Sequence, residues 1–369
     1  MTDHTNYLEQ SVQGRYVTMD KLQTSWLIGL KKCTIRDIGT SVRGNVIKSI
    51  TLGHGAKKIL MWSQMHGNES TTTKAILDVI NFLEEDNGLG HTILDHCVLC
   101  IIPILNPDGA VSYTRVNANR VDLNRDAQQR TQPESRILRS VFEEFKPDFC
   151  FNLHDQRSLF SAGTVKKPAT VSFLSPSSNE EREVTPSREV AMRLIVAMEK
   201  RLQLLIPGQI GRYDDAFNAN CVGDTFQMLG VPTILFEAGH FPGDYERERT
   251  REFIFHALLE SLETIATNRI DRYGMVDYFK IPENQKLYYD VLIKNGHIIN
   301  PDLNPEHQMG IRFLEVLKEG KVRFVPELID VKILTGHYGH ETFDCLNPTD
   351  LRALNSRAEI IALLQSDKK

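Results

Sequence analysis

Apolar positions fall into two kinds of pattern that alternate along the chain. Short, nearly continuous apolar runs bounded by Gly, Asn or Pro predict buried strands at Asn45–Leu52, Lys58–Ser63, Cys97–Leu105, Phe149–Leu153 and Thr233–Phe236, with a further strand at Thr34–Ile38. Between them, apolar residues three and four apart predict helices. Ser70–Leu83 carries the stripe Ala75, Ile76, Val79, Ile80 and Leu83, and Pro133–Phe145 carries Ile137, Leu138, Val141 and Phe145. Val190–Leu205 and Tyr245–Ile265 complete the set. Strands alternating with helices predict an α/β fold around a largely buried sheet.

The pattern changes near Ile270. Tyr288–Lys294, His297–Asn300, Lys321–Val325 and Val331–Thr335 read as strands with few helix signals between them. The expected division is a main domain over 1–272 and a small β-rich C-terminal domain over 273–369. The latter ends in a helix, Asp350–Gln365, expected to pack back on the main body.

Composition narrows the function classes. Of 369 residues, 41% are hydrophobic and 25% charged, the balance of an ordinary folded protein. The formal charge of -5 supplies no basic footprint for nucleic acid or anionic lipid. The longest apolar run, Cys97–Leu105, is far short of the roughly 20 residues a membrane helix needs. Met1–Gln13 is polar and lacks a basic-then-apolar leader, so the chain is expected to be cytoplasmic, with reduced and mostly buried cysteines. Cys97 and Cys100 form a lone C-x-x-C, but three residues apart on a strand they point to opposite faces, so they read as structural.

Candidate chemistry collects where predicted strands end. His66-Gly67-Asn68-Glu69 lies between a strand and a helix, and a histidine and a glutamate at this spacing can reach one cation. The spacing alone equally fits a turn histidine followed by an acid that suits the helix dipole. His154 ends another buried strand, in Phe151-Asn152-Leu153-His154-Asp155, and supplies a third ligand type. Asn152 and Asp155 are candidates for orienting hydrogen bonds. Asn106-Pro107-Asp108-Gly109 is a turn signal, followed by Arg115, Asn124 and Arg125; the planar guanidinium groups of the two arginines suit a carboxylate or an oxyanion. Thr233–Phe236 ends in Glu237; a carboxyl there is either raised in pKa by burial, as a general base requires, or caps the following segment.

Together these segments resemble the zinc carboxypeptidase (funnelin) family over roughly Lys32–Thr267. The resemblance opens with Ile38-Gly39-Thr40-Ser41-Val42-Arg43-Gly44 and continues through H-x-x-E, N-P-D-G, D-L-N-R, a strand-end histidine and a strand-end glutamate, in that order. It implies a mixed open sheet flanked by helices on both faces, with the β-rich segment as a C-terminal appendage. It implies one zinc ion held by His66, Glu69 and His154, and a zinc-activated water with Glu237 as general base. Arg115 would polarise the scissile carbonyl, and Asn124 and Arg125 would grip a terminal carboxylate. Tyr213 is the better match to the family's mobile tyrosine and Tyr245 the poorer. Asp224 falls where the family lines its specificity pocket, and an acid there would favour a basic side chain; it equally suits a helix cap before Thr225. Asn68 departs from the arginine that digestive members carry. The implied activity is a metallocarboxypeptidase acting on peptides. The alternative is a zinc-dependent deacylase of N-acyl amino acids, since H-G-N-E also occurs in the related succinylglutamate desuccinylase and aspartoacylase enzymes.

Overall fold

The structure, a computed structural model, describes residues 2–23 and 26–365; residues 366–369 of the expected C-terminal domain lie outside the described residues. Eight strands form the main sheet: β1 (Cys33–Thr40), β2 (Val46–Leu52), β3 (Lys57–Trp62), β4 (Cys97–Ile102), β5 (Phe149–Asp155), β6 (Val171–Leu174), β7 (Ile210–Arg212) and β8 (Thr233–Ala238). They lie in the order β1-β2-β4-β3-β5-β8-β6-β7. The four central strands β4, β3, β5 and β8 are mutually parallel, and the antiparallel pairs β1–β2, β2–β4 and β6–β8 make the sheet mixed. Parallel strands covered on both faces read as continuous apolar runs, which is why β3, β4 and β5 were legible and the short β6 and β7 were not.

Alternation along those strands divides the core into two. Ile59, Met61, Leu99, Ile101, Phe151 and Leu153 face one side, against helices α1 (Thr71–Glu84), α3 (Pro186–Gln203) and α4 (Glu248–Ala266). Leu60, Trp62, Cys100, Ile102 and Cys150 face the other, where α2 (Pro133–Phe145) contributes Leu138 and Phe142. Cys97 belongs to the first core and Cys100 to the second, as strand geometry requires, and all six cysteines are free thiols.

Three expectations are corrected near the ends of elements. α4 starts at Glu248 rather than Tyr245, because the Asp244 carboxylate accepts from the Glu248, Arg249 and Thr250 amides and so fixes the helix start. Asn106-Pro107 opens the short helix Pro107–Ser112 instead of a simple turn; the Asn106 side chain accepts from the Gly109 amide and proline sits at the first turn. The helix carrying Asp224 is Val222–Met228, which places Asp224 inside its first turn.

The C-terminal sheet contains β9 (Tyr288–Lys294), β10 (Gln308–Lys318), β11 (Lys321–Lys332) and β12 (Tyr338–Asp344), in the order β11-β10-β9-β12. His297–Asn300 is not a strand; Gly296–Ile298 is a 3-10 turn entered through left-handed Asn295. Val331 begins no new strand; with Lys332 it forms the end of β11. The final helix is two, Pro348–Asn355 and Ala358–Gln365. Their Leu354, Ile360 and Leu364 close a core with Val291, Ile293, Met309 and Ile311 of the C-terminal sheet, rather than packing on the main body. No helix among the described residues is long and apolar enough to cross a membrane.

Candidate active site

Parallel strands β3, β5 and β8 lie side by side, so their carboxyl ends open on one edge, the usual place for ligands in open α/β sheets. Trp62 pairs with Asn152, and His154 pairs with Glu237. His66 and Glu69 lie on the turn between β3 and α1. That turn is locked to its neighbour by glycine: a Cβ on Gly67 would lie 1.9 Å from the Gly109 carbonyl carbon, so H-G-N-E and N-P-D-G pack backbone on backbone. Asp108 of the second motif accepts from Ser41 Oγ, the Arg43 amide and Asn45 Nδ2, which ties the Thr40–Gly44 turn into the same corner.

His66, Glu69 and His154 place one potential ligand atom each within 4.8 Å of one another. His66 Nδ1 is 2.9 Å from Glu69 Oε1, His154 Nδ1 is 2.8 Å from Glu69 Oε2, and the two Nδ1 atoms are 3.0 Å apart. Two imidazole nitrogens and a carboxylate turned on one point form the donor set that zinc favours. Burial pushes Glu69 up, but the two imidazoles outweigh it and hold the carboxyl well below its ordinary range. Burial pushes His154 down, which keeps its imidazole neutral as a ligand must be.

Asp122, in the D-L-N-R motif but given no role by sequence reasoning, is a central member of the site. Its Oδ1 lies 3.0 Å from His66 Nε2 and its Oδ2 accepts from Arg115 Nε at 3.0 Å. It therefore orients one candidate ligand and one candidate substrate contact. Burial pushes its carboxyl up, yet His66 and Arg115 pull it far below the usual range. The signal was available in the motif, but an aspartate two residues before Asn124 also reads as a cap, and it does cap Leu123–Arg125 through the Asn124 amide. Asp155 acts at the start of α1: its carboxylate accepts from the Thr71 and Thr72 amides, and its own amide donates to Glu69 Oε2 at 3.2 Å.

Glu237 differs from its neighbours. It is buried, and its Oε2 has no hydrogen-bond partner among the described residues. Burial, followed by the nearby Glu69 and Asp155 charges, pushes its carboxyl well above the ordinary value. Arg115 reaches across to Glu69 Oε1 at 3.3 Å while 47% of its side chain stays exposed, so it borders both the cluster and solvent. Asn124 Oδ1 accepts from the Val222 amide, and the exposed Arg125 donates to the Asn124 carbonyl and to Cys221 Sγ. Asp224 sits beside Cys221, where burial pushes its carboxyl up to about 7. Tyr213 is half-buried, edge-on to Phe160, and raised first by burial and then by the Glu237 and Glu69 charges, which places it at the same cleft. Tyr245 is turned away: its hydroxyl donates to Asp290 of β9. His240 packs between Tyr245 and His340 of the C-terminal sheet, away from the ligand cluster.

Comparison with known proteins adds three findings. Residues 30–206 match the family model described as zinc carboxypeptidase. A segment of 115 residues is 26% identical to carboxypeptidase 2 of Trichophyton rubrum and covers 31% of this chain and 21% of that one; 124 residues are 31% identical to carboxypeptidase SOL1 of Arabidopsis thaliana, covering 30% and 25%. The matches thus span about a fifth to a quarter of these relatives. The metallo-carboxypeptidase of Burkholderia cenocepacia has the same fold, with a TM-score of 0.53 at 19% identity, over 65% of this chain and 66% of that one.

Proposed function

We propose that this chain, whose residues 30–206 match the zinc carboxypeptidase family model, removes the C-terminal residue of a peptide at a zinc ion held by His66, Glu69 and His154. The observation that carries this reading is the pairing, on adjacent in-register strands, of a candidate ligand at His154 with Glu237, whose buried Oε2 has no hydrogen-bond partner among the described residues. Zinc bound there supplies Lewis acidity.

The chain's own groups divide the remaining work. Glu237, raised by burial and with its Oε2 unpartnered among the described residues, takes a proton from the attacking water and returns it to the departing amine. Arg115, fixed at its Nε by Asp122 and open to the cleft on its other side, stabilises the negative charge that develops on the carbonyl oxygen. Arg125 and Asn124 hold the substrate's terminal carboxylate, which orients the last peptide bond across the cluster. Tyr213 closes over the opposite side. Asp224, when ionised, selects a basic terminal side chain.

Incubating the protein with a diverse peptide mixture and reading the products by mass spectrometry tests the proposal. Loss of single C-terminal residues, abolished by a chelator and restored by zinc, is expected. Hydrolysis of N-succinyl or N-acetyl amino acids with every peptide left intact would overturn it.

A further inference from the structure

Arg115 has an unusual support. It follows the six-residue helix Pro107–Ser112, which ends at Tyr113 with φ 54°, in the left-handed region. That position generally goes to glycine or asparagine, because a Cβ is strained there. Here the residue is a tyrosine, 7% exposed, and what its side chain does explains the choice. The hydroxyl donates to Glu315 on β10, 202 residues away in sequence. Glu315 is exposed as a residue, but its side chain is only 28% exposed and turns toward Tyr113 and Arg15. Its other oxygen meets Arg15 Nη1 at 3.0 Å, and Arg15 Nη2 lies 3.9 Å from Asp155, the residue after His154. Burial pushes the Glu315 carboxyl up, but Arg15 and the Tyr113 hydroxyl outweigh it and hold it below the usual value, so it stays ionised as the centre of the clamp.

The sheet that carries Glu315 is itself fastened beside the cleft. Tyr245 donates to Asp290 at 2.9 Å, His340 Nε2 lies 2.7 Å from the Ser158 carbonyl oxygen, and the Tyr288 amide donates to Leu159. Ser158 and Leu159 follow β5, the strand that presents His154. Glu315 is thus a fixed point against which the Tyr113 ring is held. The direction in which the chain leaves Tyr113 sets where Arg115 begins, two residues on. A long, half-exposed arginine has many rotamers, and only a fixed root lets Asp122 and Glu69 select one.

We propose that the C-terminal sheet supplies a positioning residue to the active site: Glu315 anchors Tyr113 and thereby sets Arg115. The idea rests on the reading of Arg115 as the group that acts on the substrate carbonyl. It assigns the appendage a part in turnover that its distance in sequence conceals.

A double-mutant cycle with an exchange measurement tests it, using full-length zinc-loaded protein. Tyr113→Phe removes only the hydroxyl; kcat is expected to fall about tenfold with KM within about twofold and metal content unchanged, since misplacing a reacting group by a fraction of an ångström acts on the chemical step. In an Arg115→Ala background the same change is expected to have no further effect, because coupled residues are not additive. Glu315→Gln, which keeps an acceptor for the hydroxyl, is expected to retain most of kcat, and Glu315→Ala to behave like Tyr113→Phe. Amide exchange over residues 109–122 is expected to quicken in Tyr113→Phe whatever the substrate. Unchanged exchange there, or an undiminished tenfold effect in the Arg115→Ala background, overturns the anchoring. Wild-type protein that cleaves no peptide overturns the functional reading instead, while quickened exchange would still support the anchor.

Discussion

The edge of the main sheet and the C-terminal sheet are built on opposite terms. At the edge, strands β3, β5 and β8 are buried almost throughout, and their candidate ligand and base residues, His154 and Glu237, appear only where the strands end. In the C-terminal hairpin of β10 and β11, β11 alternates exposed and half-buried positions along most of its length, and an inward polar group acts singly, as Glu315 of β10 does. The difference teaches where chemistry and support reside. A dry strand end can desolvate a carboxyl such as Glu237, whereas a wet hairpin can only deliver a side chain that holds something else.

The largest effect expected from that contrast is at Glu237. Glu237→Gln should lower kcat by about a thousandfold or more, the scale of a general acid–base group, while zinc content by metal analysis stays at the wild-type level. It should leave the unfolding free energy within about 1 kcal/mol of wild type, because an isosteric amide takes the place of a carboxyl whose buried Oε2 has no hydrogen-bond partner among the described residues. A variant both inactive and less stable would mean that Glu237 supports the strand end, and the contrast would lose its strongest case.

Next in size is packing. Ile195 on α3 is fully buried in the larger core, so Ile195→Ala should cost about 3 kcal/mol, read as a lower denaturant midpoint at an unchanged slope. Specific activity of the folded fraction should stay near wild type, since the change lies on a face of the sheet and not at its edge. A loss of activity out of proportion to the loss of stability would mean that the edge is not rigidly set by the core beneath it.

A smaller effect follows from Asp224. Its carboxyl titrates at about 7 in the folded protein, against about 3.9 in an unfolded chain, because burial disfavours its charge. The fold binds this proton more tightly, so the stabilising contribution is complete below about pH 4 and is lost as pH rises through about 7. Asp224→Asn should flatten that part of the stability curve. If Asp224 reads the substrate side chain, preference for lysine-ended over alanine-ended peptides should grow by about tenfold between pH 6 and pH 8, as its charge appears. A preference flat with pH, beside a stability curve that does flatten in Asp224→Asn, would leave Asp224 as a helix-end residue only.

How much was visible beforehand follows the same division. The α/β architecture and the convergence of His66, Glu69 and His154 were legible because buried parallel strands leave long apolar runs, and a ligand-type residue at the end of each run stands out. Asp122 was missed because its spacing looks like local capping, which it also performs. β10 was missed because Arg312, Glu315 and Lys318 interrupt its apolar residues without the strict alternation of a half-buried strand. The N-terminal segment read only as polar, yet His4 bonds to buried Asp78, and Arg251 of α4 pairs with the same carboxylate. Ion pairs across 74 and 173 residues leave no periodic trace. Arg15, Tyr113 and Glu315 share that silence, since each alone is an ordinary residue and only the fold brings them together.

The smallest expected effect tests the wet side of the contrast. Leu314 and Val316 flank Glu315 on β10, and Val325 faces Leu314 across the hairpin; all three are over 40% exposed. Strand alternation turns them away from the clamp that Glu315 makes. Leu314→Ser therefore leaves the clamp intact, and its cost should be about 1 kcal/mol and the same at every protein concentration, with kcat unchanged. The cross-strand contact with Val325 contributes only a few tenths of that. A cost above about 1 kcal/mol that grows with protein concentration would mean that a second molecule covers this face. The hairpin would then be dry on both sides, and the C-terminal sheet would support the cleft through an interface as well as through Glu315.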